Sequence, residues 1–272
     1  MIKKTKEEYV EAYKDQNFLE SNEGRSIRIL SEYEKVKSLF ESHKIIDTIT
    51  FFGSTRFIEK KSALQKLRFA KKNNKEIKNA EIDLENANYY ESARILAYKL
   101  TKWNKKYSKK HHRFVIATGG GPGIMEAANR GAYEGKGKSI GLGIKLPSKQ
   151  KFNKYITPNL SIEFHYFFMR KFFLTYPAKA TVIFPGGFGT LDEFMEVLTL
   201  KQTGKINKPM PIILFGKKYW KSVINFDFLI EKKVIDKKDV SLFLMTDYVE
   251  QAFEFITCIL KEKCVDDLEI RI

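Results

Sequence analysis

From Ile45 onward, short apolar runs alternate with longer amphipathic stretches. The segments "IDTITFFG", "RFVIATG", "SIGLGIKL", "LSIEF", "ATVIF" and "MPIILFG" read as strands, and a further short one falls near "LFLMT". Between them, helical spacing appears in "YYESARILAYKLTKWNKKY", in a segment opening at Pro122, in "HYFFMRKFFLTY" and over residues 191 to about 203. Repeated β-α alternation with near-continuous apolar strands predicts an α/β fold, a Rossmann-like doubly wound parallel sheet with helices on both faces. Ligands of such folds bind beyond the carboxyl ends of the strands, so that is where chemistry is expected.

Residues 1–44 are polar and amphipathic, with Val36, Leu39 and Phe40 at helical spacing, and predict a helical N-terminal extension ahead of a domain over 45–272. Residues 57–86 are rich in Lys and Glu with no strand signal, and a charged, solvated helical insertion is expected there. No internal repeat and no Pro- or Gly-rich linker divides the chain.

Composition narrows the class. The 272 residues suffice for one α/β domain with a sizeable core, and 43% hydrophobic with 14% aromatic content is globular. No run approaches the roughly 18 uninterrupted apolar residues of a membrane span. The N-terminus is charged throughout, so no secretory signal is read and a cytoplasmic protein is expected. Cys258 and Cys264 are too few for a disulfide framework, and with His43, His111, His112 and His165 they form no metal-ligand pattern, so no metal is expected. A net charge of +16 would attract an anion such as a nucleotide, a nucleic acid or a membrane surface. Much of the excess lies in runs such as "KKNNKEIKNAE" that read as solvated surface.

Three strand-to-helix turns carry the candidate chemistry: "FFGSTRF" with Gly53 and Ser54, "ATGGGPGIME" with Gly119, Gly120, Gly121 and Gly123, and "FPGGFGTLDE" with Gly186, Gly187 and Gly189. Glycines bring consecutive N–H groups close to a ligand, and the following helix offers its positive dipole end, an arrangement suited to a phosphate. For the second turn a tight connection with Pro122 at the first helical position is an equal reading. For the third, Thr190 and Glu193 stand in the S/T-x-x-E relation of a capping box, which explains those two residues but not the glycines. Neither a Walker lysine nor G-x-G-x-x-G spacing is present, which argues against NAD. Arg170 and Lys171 interrupt an aromatic-rich helix, where charge is costly unless paired. They either reach acidic neighbours and solvent or serve a nucleotide or a catalytic carboxylate.

With these residues assembled, the chain resembles the LOG (Lonely Guy) family of nucleotide phosphoribohydrolases, long labelled "possible lysine decarboxylase", over roughly residues 45–260. Its signatures G-G-G-x-x-G-x-M and P-G-G-x-G-T-x-x-E are matched over residues 119–125 and 185–193, apart from some latitude in the spacing of the first, and its Arg-Lys pair by Arg170 and Lys171. The resemblance implies hydrolysis of the N-glycosidic bond of a nucleoside 5′-monophosphate, with Arg170 and Glu193 as catalytic pair and residues 186–190 as phosphate loop. It further implies substrate contacts from the three loops, including Met125 and Phe188, and from Met169, Lys171 and Thr199. No cofactor is implied, and at least a homodimer is. Met169 stands where the plant enzymes have an acidic residue, Leu174 replaces a methionine and "FFGST" replaces "FCGSS", so AMP or another common monophosphate is expected ahead of a cytokinin precursor. A decarboxylase would need a Schiff-base lysine, and no lysine is singled out for one. The competing classes are a nucleotide-binding or ligand-carrier protein without turnover, and a nucleic-acid binder. The last is disfavoured because the aromatics sit mainly on buried-looking helices rather than among surface lysines.

Overall fold

The computed structural model describes residues 10–108, 110–147 and 151–263. Cys264 and residues 1–9 of the expected N-terminal extension lie outside the described residues. The strands are β1 (Thr48–Phe52), β2 (Val115–Thr118), β3 (Ser139–Ile144), β4 (Ser161–Phe164), β5 (Ala178–Ile183), β6 (Ile212–Phe215) and β7 (Leu244–Thr246). The helices are α1 (Gln16–Glu20), α2 (Arg25–Ser42), α3 (Lys60–Asn73), α4 (Ile77–Asn104), α5 (Ile124–Glu134), α6 (Phe167–Thr175), α7 (Phe188–Gln202), α8 (Lys217–Val223), α9 (Phe226–Glu231) and α10 (Val249–Lys263).

Every strand segment expected from the apolar runs forms. Among the described residues they make one parallel sheet in the order β4-β3-β2-β1-β5-β6-β7. The central strands β1 and β5 are buried at every position, as both-face coverage requires, which is why they read as continuous apolar runs. The edge strand β4 alternates exposed and buried residues, the signature of a strand with one wet face. One core cluster contains Val36, Phe40, Phe173, Phe194 and Trp220, from α2, α6, α7 and α8. A second contains Leu96, Ala127 and Ile256, from α4, α5 and α10.

The lysine-rich stretch forms α3 and the first turns of α4, which then runs unbroken to Asn104. Helix α2 packs into the first cluster, its Tyr33 and Phe40 rings lying 5.6 and 6.4 Å from that of Phe173 on α6. It also grips the start of α6: Arg28 donates to the Tyr166 hydroxyl at 3.2 Å, and Glu32 accepts from the His165 amide at 2.6 Å.

At the amino ends of the central strands lies an ion pair that the sequence did not announce. Asp47, just before β1, accepts from the Arg113 guanidinium at 2.7 Å and from the Phe114 amide at 2.5 Å, just before β2. Both charged side chains are essentially inaccessible, at 1% and 2% exposure. Burial pushes the Asp47 carboxyl upward and the Arg113 charge opposes it. Removing one partner of such a pair leaves the other charge buried without its counterpart. Asp47→Ala is therefore expected to lower unfolding free energy by about 3–5 kcal/mol, measured by urea denaturation.

Candidate active site

Strand order reverses direction between β1 and β5, which opens a crevice at their carboxyl ends. A cleft of about 580 Å³ occupies that place. It is walled by the loop after β1, by Gly119 and Met125 after β2, by residues 186–190 and Glu193 after β5, and by Arg170 and Tyr219 from α6 and α8. A side chamber of about 230 Å³ shares Gly119, Met125, Arg170 and Gly189 with it and adds Gly120, Gly121, Phe152 and Glu163.

The three glycine-bearing loops meet at the backbone of Ser54. Its amide donates to the Pro185 carbonyl at 3.0 Å, and its carbonyl accepts from the Ile124 amide at 3.0 Å. The second contact explains Gly123. That residue sits at φ +73°, and a Cβ there would lie 2.2 Å from the Ser54 carbonyl oxygen, so only glycine permits the approach.

Helix α7 begins at Phe188, three residues earlier than its apolar pattern suggests, with Gly187 at the N-cap. Leu191 donates to the Gly187 carbonyl at 3.0 Å, closing the first helical turn. The amides of Phe188, Gly189 and Thr190 therefore have no acceptor within the helix and form its positive end. Gly187 and Gly189 also line the cleft, yet neither has a positive φ and a Cβ on either would meet nothing within 4 Å. Neither packing nor backbone geometry asks for glycine at these two positions. Open approach to the main chain is what they provide.

Glu193 stands on α7 one turn beyond those amides. Its Oε1 accepts from the Arg170 Nη2 at 2.7 Å, and the two side chains are only 12% and 13% exposed. The capping-box alternative fails: Thr190 and Glu193 are inside the helix, and no side chain caps it. Burial pushes the Glu193 carboxyl up to about 7, against the opposing pull of the Arg170 charge. Arg170 Nε is buried and has no hydrogen-bond partner among the described residues, an unused donor in the cleft wall. Lys171 points elsewhere, its amine lying 3.0 Å from Asp192 and 2.9 Å from Glu196.

Gly53, Ser54, Gly119, Met125, Arg170, Gly186, Gly187, Phe188, Gly189, Thr190 and Glu193 all come together at the cleft. Phe188 is 92% exposed at its lip. Six expected contact residues do not join them: Met169, Thr199, Lys171, Gly120, Gly121 and Gly123. Met169 is 8% exposed in the core cluster, because α6 turns its neighbour Arg170 to the cleft and Met169 itself onto the sheet beside Phe173. Thr199 lies almost two turns past Glu193 on α7, outside the cleft, and its hydroxyl donates to the Met195 carbonyl at 2.8 Å. Lys171 is held by surface acids. Gly120 and Gly121 border only the side chamber, and Gly123 serves the Ser54 contact.

Sequence reading missed Thr55, Arg56 and Tyr219, which also line the cleft. The first two stood in the "FFGSTRF" turn and were legible as its continuation, whereas Tyr219 belongs to no motif. Among the described residues no group of acidic, His or Cys side chains could hold a metal ion, and no helix is long and apolar enough to cross a membrane.

The Glu193 value of about 7 lies above its ordinary 4.5, so ionisation is harder in the folded chain than in the unfolded one. Below 4.5 both states hold the proton, whereas between 4.5 and 7 the folded chain holds more, and stability from this group declines as pH rises, levelling off above that window. Urea unfolding of the wild type and Glu193→Gln from about pH 4 to pH 8 is expected to show their stability difference moving against the wild type within that window alone.

A profile of the family described as "Possible lysine decarboxylase" matches residues 125–256. The probable cytokinin riboside 5′-monophosphate phosphoribohydrolase LOG4 of Oryza sativa subsp. japonica is 25% identical over 135 residues, covering 49% of this chain and 57% of the relative. Its counterpart LOG6 of Arabidopsis thaliana is 27% identical over 121 residues, covering 44% of this chain and 60% of the relative. The matched stretches thus span less than two thirds of these relatives' own length. Among solved structures, the structural-genomics target TM1055 aligns with a TM-score of 0.49 and 20% identity over 78% of this chain and 99% of that one. The molybdenum cofactor binding protein of Rippkaea orientalis aligns with a TM-score of 0.44 and 18% identity over 80% and 98%. The family profile and the curated relatives together make the LOG family the one to which this chain is similar.

Proposed function

We propose that the protein is a nucleoside 5′-monophosphate phosphoribohydrolase, which splits AMP or a related nucleotide into free base and ribose 5-phosphate. The observation that carries this reading is the placement of a buried Arg170–Glu193 pair, 2.7 Å apart, one helical turn from the glycine-lined amino end of α7 in a single cleft. The first-turn amides of α7 and its dipole receive the 5′-phosphate. That remote anchor fixes the sugar, so its binding energy serves orientation at the reacting carbon.

Breaking the glycosidic bond sends its electron pair to the base nitrogen and leaves positive charge on the ribose ring. The Glu193 carboxylate facing that ring stabilises the charge, as carboxylates do in glycoside hydrolysis. Water then supplies the new bond to the anomeric carbon, and the proton it sheds passes to Glu193 and from there through solvent to the base nitrogen, which leaves as the neutral base. A carboxyl held at about 7 exchanges that proton readily near neutral pH. Arg170 orients Glu193 through one nitrogen and keeps Nε for a substrate oxygen. Schiff-base decarboxylation has less support, since among the described residues the main cleft is lined by Arg56 and Arg170 and by no lysine, Lys151 bordering only the side chamber.

Chromatography of incubations with a panel of monophosphates is expected to show free base, with kcat/KM rising with pH through about 7 and then levelling as the carboxylate forms. Glu193→Gln should lose at least about 100-fold of that activity. Saturable nucleotide binding with no base released would instead mark a binding or carrier protein. Gly189→Ala is a separate check: it should raise stability by about 0.5–1 kcal/mol, because glycine weakens a helix, while lowering affinity for AMP. Unchanged affinity in that variant would remove the case for ligand approach at the main chain.

A further inference from the structure

We infer that Tyr219 is a positioning residue for the phosphate loop, holding the Gly186–Gly187 peptide in the one orientation that presents an amide rather than a carbonyl to the anion. The inference rests on the proposed phosphate site. Three successive carbonyls at the turn into α7 are each held by a donor. Pro185 oxygen accepts from the Ser54 amide at 3.0 Å, Gly186 oxygen from the Tyr219 hydroxyl at 2.5 Å, and Gly187 oxygen from the Leu191 amide at 3.0 Å. A peptide unit is planar and trans, so fixing a carbonyl turns the following N–H to the opposite side. The amides of Gly186, Gly187 and Phe188 are thereby set as a group.

Of the three donors, only Tyr219 is a side chain. It also guards the weakest of the three peptides. The unit joining Gly186 to Gly187 has no Cβ on either flank, and a Cβ at Gly187 would touch nothing within 4 Å, so sterics at that end do not oppose rotation. A flipped unit would aim the Gly186 carbonyl dipole at the phosphate in place of the Gly187 N–H. The tyrosine is itself rigidly mounted. Its ring meets Trp220 edge-on at 5.2 Å, and the Trp220 indole donates to the Phe215 carbonyl at the end of β6 at 3.0 Å. Strand β6 thus reaches across to set the geometry of a loop that follows β5.

Tyr219→Phe removes the hydroxyl and keeps the ring packing. Calorimetric titration of AMP, adenosine and inorganic phosphate into the wild type and this variant, with thermal unfolding of both, tests the inference. The expected result is an AMP and phosphate affinity lowered about tenfold, adenosine affinity unchanged and a similar Tm, tenfold being about what one oriented hydrogen bond contributes. A parallel loss for AMP and adenosine would indicate general loosening of the cleft and overturn the inference, as would affinities identical to wild type. Wild-type protein that binds neither AMP nor phosphate would bring down the phosphate site itself, a failure distinct from that of Tyr219.

Discussion

Two backbone hydrogen bonds at Ser54 join the ends of three parallel strands. One ties the loop after β1 to the loop after β5, and the other ties it to the start of α5 after β2. Parallel strands all point their carboxyl ends the same way, so loops from distant parts of the chain arrive at one place without having to be neighbours in sequence. What the sheet cannot do is fix their spacing. Ser54 does so through main-chain atoms, and Gly123 is the concession that lets the α5 turn come near enough.

On this frame the cleft carries a deliberate imbalance. Burial penalises the Glu193 charge, Arg170 offsets only part of that penalty, and the carboxyl rests between its ionised and protonated forms near neutral pH. The Asp47–Arg113 pair at the opposite end of the sheet makes a useful contrast. It is almost wholly inaccessible and additionally satisfied by the Phe114 amide, as a structural pair should be. The Arg170–Glu193 pair stays slightly open to the cleft and leaves Nε without a hydrogen-bond partner among the described residues.

Strands β1, β2, β5 and β6 were legible because they are buried at every position and so leave continuous apolar runs, whereas the edge strand β4 showed as an alternation. The cleft's main-chain elements were legible for a similar reason: glycines that local structure does not require stand out. The start of α7 was misread because Phe188, Gly189 and Thr190 resemble a loop in composition, although their backbone is helical. Two positions implied by motif likeness, Met169 and Thr199, lie outside the cleft lining. A contact carried over to Met169 or Thr199 ignores that one residue turns a side chain by 100° and six residues displace it by roughly 9 Å. Tyr219 and the Asp47–Arg113 pair were invisible, since their partners lie 33 and 66 residues away and no local pattern encodes them.

Helix α2 has a bearing on chemistry that its place near the start of the chain conceals. Its aromatic residues fill the hollow behind α6, and its Arg28 and Glu32 clasp the turn from which α6 departs. Arg170 rides on the far side of that same helix. A recombinant fragment cut at residue 45 would keep every glycine signature and every strand, and yet hydrate the back of the element that aims the guanidinium. Residues 25–42 are therefore a buttress of the cleft wall, and their sequence is constrained by what they support as much as by what they cover.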